Sequence, residues 1–186
     1  MPGLDGEMVV STWPSGSDGL FAVRDFMVSD GNSRLVARAK SYWLVVDSQT
    51  KRPQRLAVLP VFPPVFNHPE TMDKKLNKLD FHIDKIPAGY FKVNFSDMDI
   101  ARHVNNTRYI DWIIDDFDAP FRASHFLNEI EIDFLLETSA GDHLAVCTDM
   151  AVRDSLQFRH HIKKEDGREV CRAVTKFLEI EKTHTA

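Results

Sequence analysis

The chain has little cysteine, no basic block, no long apolar run and no glycine-rich phosphate loop, and each lack removes a class of function. Two of its 186 residues are cysteine, Cys147 and Cys171. That is too few for a disulfide framework or a cysteine-based zinc site, and it fits a reducing compartment. Lys and Arg total 23 against 28 Asp and Glu, for a formal charge of −5 with no clustered basic stretch, so no nucleic-acid partner is expected. No window of about 18 apolar residues exists, so no membrane span is expected. The opening residues, Met1 to Glu7, carry neither a basic nor an apolar region of the secretory kind. We therefore expect no secretory signal and a cytoplasmic location. Nothing in the sequence calls for a nucleotide, and no cofactor is expected.

What is present is a chain with 43% hydrophobic residues, enough for a packed core. Met8 to Trp13, Leu20 to Ser29 and Leu35 to Val46 read as strands, separated by Pro14-Ser15-Gly16-Ser17 and Asp30-Gly31-Asn32-Ser33. Turn residues at both connections predict an antiparallel meander. Six of the nine prolines then fall between residues 48 and 87, which marks a connector with extended pieces; Lys74 to Leu79 is a candidate helical turn within it.

Residues 89–180 read as an α+β unit. Tyr90 to Ser96 is a predicted strand, and a helix from Asn106 to about Phe117 follows with Asn105 as its N-cap. Asn128 to Glu137 alternates, with Ile130, Ile132, Phe134 and Leu136 on one side. His143 to Val152, Gln157 to Lys163 and Glu169 to Ile180 complete a run of antiparallel strands. One strand, one long helix and then strands predict a sheet wrapped around a helix. The first unit has the meander without the strand and helix that open the second, so we expect an incomplete domain in a shortened chain.

Chemistry concentrates between Phe95 and Trp112. Asp97 and Asp99 are two residues apart, and a strand continuing through both would point them to one side; capping a turn is the alternative. His103 follows, and then Asn105-Asn106 open the helix. Unpaired N–H groups at a helix start suit an oxyanion developing on a thioester or ester carbonyl, while a carboxylate and an imidazole suit proton transfer from water. Tyr109, Trp112, Ile113 and Phe117 share the helix's apolar face, as core or as the wall of an acyl tunnel. His160 and His161 are neighbours on a strand, so one is expected to point inward and one outward, and they make no metal pair; no metal is expected. Asp111, Asp115, Asp116 and Asp118 crowd the far end of the helix, where the dipole disfavours them.

These residues carry a resemblance. Asp97-Met98-Asp99-Ile100-Ala101-Arg102-His103-Val104-Asn105-Asn106-Thr107-Arg108-Tyr109-Ile110-Asp111-Trp112 resembles the D-x-D-x-N-x-H-V-N-N-x-x-Y-x-x-W hallmark of the acyl-acyl carrier protein thioesterase family. Thr12-Trp13-Pro14, Arg24-Asp25-Phe26, Arg38-Ala39-Lys40-Ser41-Tyr42-Trp43 and Lys51-Arg52-Pro53 are similar to its T-W-P, R-D-F, R-A-x-S-x-W and R-R-P signatures, in the same order. The resemblance implies tandem hotdog domains: an incomplete one at 1–60, a Pro-rich connector at 61–87 and a complete one at 88–186. It implies hydrolysis of fatty acyl-acyl carrier protein to free fatty acid and carrier protein, with the acyl-loaded carrier protein as partner and a homo-oligomer, a dimer, as assembly. By the same resemblance the catalytic residues are Asp99, His103 and Glu137, with Val104, Asn105, Asn106, Tyr109 and Trp112 at the substrate. Thr138 stands where some members have a cysteine, which argues against a cysteine nucleophile; Cys147 and Cys171 read as small buried residues. The family's catalytic Asn is Ala101 here, a loss of the kind that costs ~100- to 1000-fold in rate. An acyl-CoA thioesterase and a silent acyl-binding hotdog protein are the alternatives; a dehydratase fits less well.

Overall fold

The computed structural model describes residues 6–58, 71, 72, 75, 77–152 and 155–180. The chain divides into two units, Met1–Leu76 and Asn77–Ala186. Much of the expected 61–87 connector, with Pro63, Pro64 and Pro69, lies outside the described residues, as do Lys74 and Leu76 of the candidate turn. Residues 77–86 belong to the second unit. There the Leu79 N–H donates to Asp133 Oδ2 at 2.7 Å, and Ile83 is buried.

The first unit is a three-stranded antiparallel sheet in the order β1-β2-β3, formed by β1 (Met8–Asp18), β2 (Phe21–Asp30) and β3 (Leu35–Leu44). Strand β1 does not stop at Pro14 as expected. It runs on to Asp18 because the register slips between Pro14 and Gly16, and Gly16 adopts φ +126° there. A proline is tolerated on an edge strand, and the glycine accommodates the bulge. The β2–β3 turn closes as predicted, with Asp30 Oδ1 accepting the N–H groups of Asn32 and Arg34. From farther along the chain, Thr71 donates its hydroxyl to buried Asp25, and Lys40 donates to the Met72 carbonyl at 2.8 Å.

The second unit is a five-stranded antiparallel sheet in the order β4-β6-β7-β8-β5. Its strands are β4 (Phe91–Lys92), β5 (His125–Phe134), β6 (His143–Met150), β7 (Gln157–Lys164) and β8 (Glu169–Glu179). Helix α1 (Asn106–Asp115) lays Tyr109 and Ile113 on the sheet. They meet Leu144 of β6, Ile162 of β7, and Val170, Cys171 and Ala173 of β8, with Val93 and Val104 completing the core. Spacing of three and four residues puts Tyr109, Trp112 and Ile113 on one helix face. Burial of an isoleucine-sized side chain contributes about 1.5–3 kcal/mol.

The helical region departs from expectation at its end. Helix α1 stops at Asp115, and a second short helix, α2 (Ala119–Ser124), follows. The acidic cluster accounts for this arrangement. Asp118 caps α2 by accepting the Phe121 N–H at 2.8 Å, Asp115 pairs with Arg122 at 2.8 Å, and Asp111 pairs with Arg108 at 3.1 Å. Phe117, half-buried, lies in an aromatic cluster with Phe121, Phe158 and Phe177.

His160 and His161 are both fully buried, contrary to the expectation of one in and one out. They do face opposite ways, but both faces of the central strand are covered. His160 sits on the α1 side between Thr148 at 2.9 Å and Thr175 at 2.7 Å, near Phe117. His161 sits on the other side, where Phe81 stacks on it with ring centroids 5.0 Å apart. Burial drives the His160 imidazole down to about 3, so it is neutral. Cys147 and Cys171 are buried free thiols, and burial pushes both above the ordinary thiol range.

Candidate active site

The predicted strand through Asp97 and Asp99 does not form. Pairing ends at Lys92, and a single 3-10 turn covers Phe95–Asp97. The cause lies in Val93, which turns into the core and exchanges backbone hydrogen bonds with Gly141 and Asp142. The two carboxylates therefore do different work. Asp97 is buried: its Oδ2 accepts the Asn94 N–H at 2.7 Å, and its Oδ1 lies 3.4 Å from Arg108 Nε. Asp99 lies at the surface, where its Oδ1 accepts the N–H groups of Ala101 at 2.8 Å and His103 at 3.2 Å.

Residues 99–103 form a tight loop. The Asp99 N–H donates to the His103 carbonyl at 2.8 Å, and Met98 bridges Val104. Arg102 closes it with φ +63°, a left-handed conformation that costs a non-glycine residue roughly 1–2 kcal/mol. The loop fixes where the His103 backbone leaves and where its ring can reach. Its Nε2 comes to 3.9 Å from Glu137 Oε2, with the side chains 52% and 60% exposed. Glu137 follows the end of β5, where the N–H groups of Leu135 and Leu136 both donate to the Val170 carbonyl.

Thr138 anchors this position. It is buried, and its Oγ1 lies 2.5 Å from the Tyr109 hydroxyl. Burial pushes the Tyr109 phenol above 10, so it keeps its proton and can donate it. The bond ties the residue after Glu137 to the middle of α1. Sequence reasoning assigned Thr138 only by what it lacks, and the signal for its role, a hydroxyl beside a tyrosine on a facing element, is not local. Tyr109 also packs edge-on against Trp112 and Phe134, with centroids 5.2 and 5.3 Å away. It is thus a buried post behind the site, and half-buried Trp112 leans on Phe91.

The helix start supplies fewer donors than expected. Asn105 caps α1, its Oδ1 accepting from the Thr107 N–H and hydroxyl at 3.0 Å each. Its own N–H is already taken by the Asp97 carbonyl at 2.9 Å, which removes it from an oxyanion site. Val104 is buried in the core. Asn106 is exposed as the first residue of the helix, and among the described residues no acceptor reaches its N–H. Ala101 is exposed on the loop and presents only a methyl group. A carboxylate and an imidazole thus meet three residues before the helix starts, an arrangement able to hold water against a carbonyl.

A sheet curled over one helix, with a histidine loop feeding the helix start, defines the hotdog class. The same fold appears in an acyl-ACP thioesterase from Bacteroides thetaiotaomicron VPI-5482, with TM-score 0.79 and 24% identity over 93% of this chain and 69% of that one. It appears too in the 12:0-ACP thioesterase from Umbellularia californica, with TM-score 0.78 and 19% identity over 94% of this chain and 69% of that one. Residues 82–179 match the model of the acyl-ACP thioesterase C-terminal domain, and residues 1–58 match that of the N-terminal domain. The chain belongs to the acyl-ACP thioesterase family. Among curated relatives, the chloroplastic palmitoyl-acyl carrier protein thioesterase of Cuphea hookeriana is 30% identical over 184 residues, 90% of this chain and 43% of its own length. That of Gossypium hirsutum is 27% identical over 188 residues, 92% of this chain and 46% of its own length. The chain spans about half the length of these curated relatives.

Proposed function

We propose that this chain hydrolyses the thioester of a fatty acyl-acyl carrier protein, releasing the fatty acid and the carrier protein. The observation that carries the reading is the His103–Glu137 pair at the start of α1, in a chain of this family. Glu137 takes a proton from water as the water oxygen adds to the carbonyl carbon. The Asn106 N–H stabilises the oxyanion, aided by the positive end of the helix dipole. The C–S bond then breaks, and the proton passes through His103 to the departing thiolate. Asp99 is a positioning residue: its Oδ1 holds the loop that aims His103.

The acyl-loaded carrier protein is the partner in this reading, and the chain self-associates as a dimer. Exposed Phe95 and Ile100 on the loop before His103 support a protein contact there. The cytoplasmic location belongs to the proposal as well, whereas the plant relatives are named as chloroplastic.

One observation favours a second reading, that of an acyl-binding protein without turnover. Ala101 offers no donor at the position of the family's Asn. The experiment is hydrolysis of acyl-carrier proteins of short, medium and long chain, with acyl-CoA of equal length alongside and Glu137→Ala as control. Turnover lost by about 100-fold or more in the variant supports the assignment. Turnover that survives in Glu137→Ala removes the base. Acyl binding without turnover selects the second reading, and Ala101→Asn then tests whether one side chain is responsible.

A further inference from the structure

On the sheet face turned away from α1, a second set of polar groups meets. His161 of β7 is fully buried, and its Nε2 lies 3.1 Å from the Phe81 carbonyl. A carbonyl only accepts, so Nε2 carries the hydrogen and donates it. The other ring nitrogen, Nδ1, is then a lone pair. It is buried without a hydrogen-bond partner among the described residues, and it faces Glu169 Oε1 at 3.5 Å. Glu169 is locked in that pose, because its other oxygen, Oε2, accepts from Arg172 Nε at 2.9 Å and Arg172 Nη2 at 2.6 Å. The arrangement aims a fully buried acceptor at a partly exposed one, a place that suits a cation between them.

The exposed ring of His82 completes the group. Its centroid is 6.1 Å from that of His161, and one ligand atom from each of His82, His161 and Glu169 lies within 4.8 Å of the others. We propose that His82, His161 and Glu169 bind a divalent transition-metal ion of the zinc type. Two imidazoles and one carboxylate are a zinc donor set that leaves a fourth position for water. Tetrahedral ligands at zinc lie about 3.3 Å apart, so the His161–Glu169 spacing already fits and only the exposed His82 ring has to swing inward. The Phe81 carbonyl on His161 and the Arg172 guanidinium on Glu169 are the outer partners that orient metal ligands elsewhere. Lys163 and Arg172 put positive charge nearby, and Glu169 and Asp80 offset it; Asp80 lies 3.4 Å from Arg172. The ion would pin residues 77–86 to the sheet.

The test is titration of the untagged full chain with Zn2+ by calorimetry, and with Co2+ by its visible absorption. The expected result is one ion per chain, with a tetrahedral cobalt band that Zn2+ displaces. His82→Ala and Glu169→Gln should each weaken binding tenfold or more. His82 is exposed, so its variant keeps the fold. No binding at micromolar Zn2+, or unchanged affinity in either variant, overturns the proposal.

Discussion

The two units are built from similar meanders, but among the described residues only the second has an α-helix to close over its sheet. In the second unit, Tyr109 and Ile113 bring residues from β6, β7 and β8 into one core. In the first, the described buried residues are Trp13, Pro14 and Asp25, while Val10, Met27, Leu35 and Trp43 stay exposed. The first sheet is held by its backbone ladder and by polar ties such as Thr71 to Asp25. The lesson is that strand patterning alone makes a sheet, and a covering element makes a core.

That contrast predicts unequal responses to the same insult. Ile113→Ala should cost about 2–5 kcal/mol in chemical denaturation, whereas Met27→Ala in β2 should stay within about 0.5 kcal/mol. Equal losses would break the comparison. Thr138→Val should cost roughly 1–3 kcal/mol, because it leaves the buried Tyr109 hydroxyl without its partner. A cost below that range would mean the hydroxyl finds another acceptor.

Acid should act on the second unit through one buried histidine. His160 has its imidazole lowered from 6.5 to about 3 in the folded state, so the unfolded chain binds the proton first as pH falls. Its stabilisation is complete above 6.5 and is lost between 6.5 and about 3, with a slope of about 1.4 kcal/mol per pH unit. Denaturation at several pH values measures it, and His160→Leu should flatten that slope. The smallest effect is shared by both units. Arg102 and Ser33 both adopt φ +63°, so Arg102→Gly and Ser33→Gly should each gain roughly 0.5–1 kcal/mol. A gain at only one turn would show that the other residue makes contacts worth its strain.

Much of this was legible in the sequence where the signal is local. Asn105 as cap, the three-and-four spacing after it, and the turn at Asp30 all stand in the structure. Asp118-Ala119-Pro120 was also a readable helix start, masked by the acidic run around it. What escaped depends on distant residues. Val93 ends β4 because of Gly141 and Asp142, and His161 is buried because residues near Phe81 return over the sheet. In the candidate site, the positions of His103 and Glu137 came from the family's spacing. Asp99's grip on the loop and Thr138's bond to Tyr109 required coordinates.

Strand order also sets a timetable. Strand β5 is made early in the second unit, yet among the described residues it pairs in the sheet only with β8, the last strand. During synthesis, β5 must wait with its ladder unmade until β8 emerges, starting 35 residues after β5 ends (169 − 134), a closure of long sequence separation that folds slowly. For that interval its apolar Ile130 and Ile132 are open to other chains. A nascent chain stalled before Glu169 is therefore the form in which this protein is most exposed to chaperones and to its own copies.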